Sequence, residues 1–307
     1  MKYRRLGKSN LRVSVIGLGT WQFGGEWGKT FEQSEVNAIL HRARELGINL
    51  IDTAECYGHH LSESLIGPAI QTNRSHWILA TKFGHRFHSH MNRTDERSAK
   101  DCREQLEASL RALRTDYIDI YQYHSVRDEE FFDDAVRKVL QDAKRAGKIR
   151  NIGNSIASKL TNGPQAAASE AAEVDVLQIY YNRLERKAEQ VALPEAQRQN
   201  LGVLARVPLA SGLLTGKYKP GAQFQLNDFR ADENPADRDA KLREADQIQK
   251  TEVPPGIPMP QWALAWCLQH PAVTATIPGC KDVKQVESNA AAADLSLVRD
   301  DHPQAWR

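Results

Sequence analysis

The sequence predicts an α/β protein of the (β/α)₈ (TIM) barrel class, with an N-terminal β-hairpin ahead of the barrel and a long loop after its seventh strand. Three observations carry this expectation. Short β-branched runs alternate with longer amphipathic stretches eight times, a pattern that calls for a parallel sheet covered by helices. A length of 307 residues suits one such barrel, so a single domain over residues 1–307 is expected. The rival, an open doubly wound sheet, usually carries a dinucleotide fingerprint, and that fingerprint fails here. After Gly17-Leu18-Gly19 the third glycine of G-x-G-x-x-G falls on Gln22, and no helix starts directly after it.

Along the chain, Tyr3 to Leu6 and Leu11 to Val13 flank Gly7-Lys8-Ser9-Asn10, a turn composition that reads as a hairpin capping the barrel floor. Strands are expected at Val13 to Gly19, Asn49 to Asp52, Trp77 to Lys82, Tyr117 to Tyr123, Ile149 to Asn154, Val176 to Ile179, Gly202 to Val207 and Thr274 to Pro278. The helices between them are expected at Phe31 to Leu46, Leu61 to Ile70, Asp95 to Leu113, Phe131 to Ala146, Gln165 to Ala172, Ala188 to Gln199, Met259 to His270 and Val283 to Ala293. The connection from Thr215 to Pro258 is long, with a charged helix-like stretch at Asp237 to Lys250, and loops of that length in compact domains tend to be functional.

Composition excludes several classes of function. With a formal charge of +2 and charges of both signs mixed along the helices, the chain has no basic block to grip nucleic acid. No apolar run reaches the ~20 residues of a membrane span, and the N-terminus lacks a signal-peptide pattern, so a cytoplasmic protein is expected. Cys56, Cys102, Cys267 and Cys280 are scattered without a Cys-x-x-Cys pair, which points to reduced thiols. A monomer is the default assembly. The stretch Gly212-Leu213-Leu214-Thr215-Gly216-Lys217-Tyr218 is one residue too short for a P-loop and has Tyr218 where Ser or Thr should follow the lysine.

Four polar residues fall at or after expected strand ends: Asp52 closes the second, Tyr57 follows it, Lys82 closes the third and His124 follows the fourth. In a barrel all four face the C-terminal rim, where such enzymes place their sites. A tyrosine with an ordinary pKa of about 10 is a poor acid near neutrality until a cation stabilises its phenolate. Lys82 would supply that cation, Asp52 would hold the ammonium, and His124 would orient a carbonyl for protonation by Tyr57. Taken singly, each residue reads as well as a structural ion pair, a cap or a packed ring.

The segment Asn49-Leu50-Ile51-Asp52-Thr53-Ala54-Glu55-Cys56-Tyr57-Gly58, followed by Leu61-Ser62-Glu63-Ser64-Leu65-Ile66-Gly67, resembles the signature of the aldo-keto reductase family. Ala80-Thr81-Lys82-Phe83-Gly84, the run from Asp116 to His124, the run from Leu209 to Lys217 and Ile277-Pro278-Gly279 extend the resemblance along the chain. It implies a (β/α)₈ barrel, NADPH-linked reduction of small aldehydes and ketones, and a catalytic tetrad of Asp52, Tyr57, Lys82 and His124. Its implied cofactor contacts begin at Gly19, Thr20, Trp21 and Asp52 near the nicotinamide, whose carboxamide Ser155 and Gln178 would hold. Arg206, Pro208, Leu209, Ser211, Gly212, Leu214 and Lys217 would follow the ring and pyrophosphate. Gly279, Cys280, Lys281, Gln285 and Asn289 would hold the adenosine end, and Trp21, Tyr57, Phe87 and His124 the substrate.

Three departures from the family pattern stand out, and the chain resembles a bacterial-type branch. Gly153-Asn154-Ser155-Ile156 lacks the usual carboxamide-binding asparagine, leaving Ser155 and Gln178. Arg206 occupies the place where many members stack a tyrosine on the nicotinamide. Gln285 replaces an arginine for the 2′-phosphate, leaving Lys281 as the cation that favours NADPH while NADH stays open.

His85, His88 and His90, with His59 and His60, read as loop histidines near the pocket mouth; their spacing fits no zinc motif, and no metal is expected. Trp21, Trp27 and Phe87 read as an apolar substrate wall or as rim packing. Two rival functions remain: a cofactor-binding regulatory subunit, which would not need the intact tetrad, and a metal-dependent hydrolase, which would need a metal cluster at a strand end.

Overall fold

The computed structural model describes residues 1–89, 91–157 and 163–306. A hairpin of β1 (Tyr3–Arg5) and β2 (Arg12–Ser14) comes first, followed by β3 (Leu18–Gly19), α1 (Gln33–Glu45), β4 (Leu50–Asp52), α2 (Leu61–Ile70) and β5 (Ile78–Phe83). A second hairpin, β6 (His85–Ser89) and β7 (Asn92–Asp95), precedes α3 (Ala99–Ala112), β8 (Ile118–His124), α4 (Asp128–Phe131), α5 (Asp134–Arg145) and β9 (Ile149–Ser155). Then come α6 (Gly163–Ala167), β10 (Val176–Tyr180), α7 (Ala192–Arg198), β11 (Gly202–Arg206), α8 (Pro235–Thr251), α9 (Met259–Gln269), β12 (Ala275–Thr276) and α10 (Val283–Ala291).

Eight strands pair in the order β3-β4-β5-β8-β9-β10-β11-β12, every pair parallel. The seam between β12 and the first strand closes through parallel bridges Ile16–Thr276 and Gly19–Gly279, with the Gly19 amide donating to the Pro278 carbonyl at 3.0 Å. A side chain at Gly19 would meet the Ile277 carbonyl oxygen at 2.6 Å, so this approach of two backbones requires glycine. The expected (β/α)₈ barrel is present.

Inside the barrel, Leu50, Ala80, Ile120, Val176, Leu204, Ala275 and Ile277 form a compact apolar layer. Leu6 and Val13 of the first hairpin join it from below, and Leu6 packs where any side chain on Gly202 would sit. The hairpin therefore plugs the N-terminal floor, which leaves the opposite end open. A separate cluster of Leu213, Leu214, Leu242, Ile248 and Trp262 ties α8 and the long loop to α9.

Several boundaries differ from expectation. Val13 to Gly19 is split, its start pairing in the floor hairpin and its end in the barrel, while the Asn49 side chain takes the Ser14 amide at 2.7 Å. The helix expected from Asp95 starts at Ala99, because Ser98 and Asp101 form a capping box and Asp95 pairs with His85 in the second hairpin. Likewise α5 begins after Asp133, whose carboxylate accepts from the Ala135 amide at 2.7 Å, and Phe131 ends the short α4. The expected helix at Gln165 to Ala172 is shorter, ending at Ala167. In the long connection, Asn234 caps α8 and Pro235 opens it, extending the helix beyond the charged stretch on both sides.

Candidate active site

Asp52 ends β4, Lys82 lies one residue before the end of β5, His124 ends β8 and Arg206 ends β11, while Tyr57 follows β4 in a turn. Parallel strands bring these ends to one rim. There they border an elongated cleft of about 510 Å³ whose wall includes Asp52, Tyr57, His124, Gln178 and Arg206. Lys82 lies beneath, fully buried. Its Nζ donates to Asp52 Oδ2 at 2.7 Å, to the Thr53 carbonyl at 2.8 Å and to the Tyr57 hydroxyl at 3.3 Å. Asp52 Oδ1 accepts from Gln178 Nε2 at 2.6 Å and Gln122 Nε2 at 3.1 Å, so both carboxylate oxygens are held.

Burial opposes the Lys82 charge, but the adjacent Asp52 carboxylate prevails and holds the ammonium above its usual pKa. For Tyr57 the balance goes the other way: burial pushes the phenol up to about 12 despite the nearby Lys82. Tyr57 is therefore protonated at neutral pH, with its phenolate partner already in place. Burial, followed by His85, Lys82, Arg93 and Arg206, holds His124 well below the usual histidine range, so its ring is neutral. Its Nδ1 lies 3.6 Å from Cys56 Sγ, and burial keeps that cysteine a thiol. A thiol is both a weak donor and a weak acceptor, so either neutral tautomer of His124 fits that contact.

Above Tyr57 the cleft is aromatic. Trp21 stacks at 6.1 Å from the Tyr57 ring and meets Trp27 at 5.4 Å, with Phe229 of the long loop 4.7 Å behind. The wall also carries Gly19, Thr20, Pro208, Leu209, Ser211, Gly212, Lys217, Gly279, Lys281, Gln285 and Asn289. Besides Lys82, four residues expected at the site are not on this wall. Ser155 sits behind Gln178, donating to its Oε1 at 3.3 Å; Leu214 and Cys280 are buried in the core; and Phe87 lies on the second hairpin, paired with Arg93.

The sequence reading missed Arg93 and Arg230. Arg93 reaches the cleft only because β6 and β7 pair and bring it beside Glu26 and over Trp21 at 5.9 Å. Arg230 comes from the long loop, held by Asp228 and donating to the Ser211 carbonyl at 3.2 Å. A basic residue flanked by Phe229 and Asp228 was the one available signal. The histidines are dispersed among other partners: His85 with Asp95 at 3.1 Å, His88 with Thr94 at 2.8 Å, and His59 against the His60 ring at 5.6 Å. His90 lies outside the described residues. Among the described residues no group of three His, Cys, Asp or Glu is placed to hold a metal ion. No helix among them is long and apolar enough to cross a membrane.

The cleft suits a nicotinamide dinucleotide. Trp21 Nε1, Trp27 Nε1 and Arg206 Nε are buried there without hydrogen-bond partners, so the wall offers donors that the protein does not use. Lys217, Arg230 and Lys281 gather cations along the part walled by Ser211 and Gly212, as a diphosphate requires.

A family model described as "Aldo/keto reductase family" matches residues 15–305. The chain belongs to the aldo/keto reductase family. This aldo/keto reductase is 31% identical over 318 aligned residues to the NADH-specific methylglyoxal reductase of Escherichia coli (strain K12), covering 97% of this chain and 95% of that protein. It is 29% identical over 307 aligned residues to an Arabidopsis thaliana protein described as a probable voltage-gated potassium channel subunit beta, covering 96% and 92%. Among solved structures, the holo form of aldo-keto reductase AKR11C1 from Bacillus halodurans superposes with a TM-score of 0.81 at 29% identity, covering 96% of this chain and 91% of that one.

Proposed function

We propose that this aldo/keto reductase reduces small aldehydes and ketones to alcohols with NADPH, and less readily with NADH, using Tyr57 as proton donor. The observation that carries the reading is the Lys82 ammonium shared between the Asp52 carboxylate and the Tyr57 hydroxyl at the cleft floor. A bound reduced nicotinamide supplies a hydride to the carbonyl carbon. Tyr57 gives its phenolic proton to the carbonyl oxygen, and the Lys82 ammonium stabilises the phenolate left behind. In the tautomer that carries its proton on Nε2, the neutral His124 donates to the same oxygen and aims it at Tyr57. Asp52, held by Gln122 and Gln178, keeps the ammonium in place, and Trp21 with Trp27 excludes water from the reacting atoms.

The test is NADPH and NADH oxidation across a panel of aldehydes, measured against pH. The donor is the protonated phenol, raised to about 12, so it is fully present below that value and lost as pH rises through it. The reductive kcat is expected to stay level from neutral pH into the alkaline range and to fall only on approach to about 12, whereas alcohol oxidation, which needs the phenolate, climbs with pH. A reductive limb that fell near neutrality would remove Tyr57 from the role. Absence of any turnover would favour the second reading, a cofactor-binding regulatory subunit, which the likeness to the channel-subunit relative keeps in view.

The preference for NADPH rests on the cations Lys217, Arg230 and Lys281 in the cleft wall. Burial lowers the Lys281 pKa, and Arg230, Lys217 and Lys29 lower it further, which marks a positive cluster only partly offset by Asp228. An added phosphate relieves that repulsion. Lys281→Ala is expected to raise the KM for NADPH about tenfold and leave that for NADH nearly unchanged. Equal losses for both cofactors would assign Lys281 to the shared part of the dinucleotide.

A further inference from the structure

Among the described residues Arg206 is a cation without a counter-ion. Its Nη2 donates to the Ile156 carbonyl at 3.2 Å, its guanidinium lies 5.2 Å over the Tyr180 ring, and its Nε is buried without a partner. Among the described residues no carboxylate forms an ion pair with it. Asp52, whose charge reaches it, is already bound by Lys82, Gln122 and Gln178. The neighbouring pairs cancel: Lys82 with Asp52, and Arg93 with Glu26. His124 is neutral, as is Tyr57. Among the described residues the reacting corner of the cleft therefore carries one uncompensated positive charge, and a guanidinium stays protonated through the physiological range. Arg206 is half-buried on the cleft wall, so this charge faces whatever occupies the cleft.

The two redox forms of a nicotinamide differ in charge at the ring, neutral when reduced and cationic when oxidised. We propose that Arg206 makes this cleft discriminate between them, seating the neutral reduced ring and repelling the cationic oxidised one. The inference rests on the reading of the cleft as a nicotinamide site with its ring at the Tyr57 end. A guanidinium plane stacks on a neutral ring as well as an aromatic side chain does, so reduced cofactor loses little. The oxidised ring meets a like charge in a water-poor wall, where repulsion is weakly screened. The overall equilibrium of the reaction is untouched. What changes is the balance between the two bound forms and the ease with which oxidised cofactor leaves, which favours turnover in the reductive direction.

Binding measured without substrate tests this. Wild type, Arg206→Gln and Arg206→Lys are titrated with NADPH and with NADP⁺ by calorimetry and by quenching of tryptophan fluorescence. Wild type is expected to bind the reduced form more tightly. In Arg206→Gln the ratio of oxidised to reduced dissociation constants falls about tenfold, mainly through tighter binding of NADP⁺, equivalent to about 30 mV in the potential of the bound couple. Arg206→Lys, which keeps the charge, keeps the ratio.

A merely structural role would raise both constants by the same factor and leave their ratio alone, which overturns the proposal. So does a wild type that binds both forms equally, although the nicotinamide site would then stand. If wild type binds neither form, the reading of the cleft fails and this inference fails with it. Arg206→Tyr, aromatic and uncharged, replaces the glutamine variant if that variant does not fold, with the same expected fall in ratio.

Discussion

Tyr57→Phe is expected to lower kcat for aldehyde reduction by about 10²–10⁴-fold while leaving NADPH binding essentially unchanged. The substitution removes only the hydroxyl that Lys82 contacts at 3.3 Å and keeps the ring against Trp21 and His124, so the wall is preserved and the proton donor is lost. Hydride transfer without a proton would leave an alkoxide facing Lys82 across an empty gap, too far for the ammonium to replace the acid. Stopped-flow turnover with NADPH, alongside calorimetric titration of the same cofactor, separates the two quantities. Full activity in the phenylalanine variant would end the proposed mechanism. A parallel loss of cofactor affinity would mean that Tyr57 shapes the cleft instead of donating the proton.

Lys82→Met is expected to remove activity and also to destabilise the fold by about 3–5 kcal/mol. The side chains of Lys82 and Asp52 are 0% and 4% exposed, so truncating one leaves the other as a charge without its counter-ion in a low-dielectric site. Asp52 would keep Gln122 and Gln178, which donate to a single oxygen, but would lose its ion-pair partner. Urea denaturation measures the loss, and adding Asp52→Asn to the methionine variant should recover much of it, because two neutral groups need no partner charge. A methionine variant within about 1 kcal/mol of wild type would show that the pair behaves like a surface salt bridge and not as a buried one.

The two predictions depend on different levels of information. The residue types at 52, 57, 82 and 124 stand at or near strand ends in the linear pattern, and a parallel barrel carries such ends to one rim by symmetry. That much was legible because periodicity and chain polarity are local properties. The reversal in Tyr57 was not legible. From the sequence, Lys82 was expected to ease ionisation of the phenol, but in the fold burial outweighs the ammonium and raises the tyrosine to about 12. Desolvation depends on every group packed around the ring, and no spacing encodes it. The neutral state of His124 is a similar case, since burial and the charges of residues distant in the chain impose it only after folding.

Boundaries went astray where capping and pairing compete with composition. The run from His85 to Asp95 is polar, with neither helical nor strand periodicity strong enough to name it, yet it closes as a hairpin and delivers Arg93 to the cleft. Ser155, Leu214, Cys280 and Phe87 lie in segments that border the site, but Ser155 is packed behind Gln178, Leu214 and Cys280 are buried in the core, and Phe87 sits on the second hairpin.

By itself the sequence determined the eight strand-helix repeats, the floor hairpin and the four polar residues at the rim, since each follows from local pattern along one chain. Tertiary structure alone decided that Lys82 lies under Tyr57, that Tyr57 stays protonated, and that Arg206 is left without a counter-ion among the described residues. Those outcomes are sums of burial and charge over residues far apart in the chain, and they exist only once the barrel has closed.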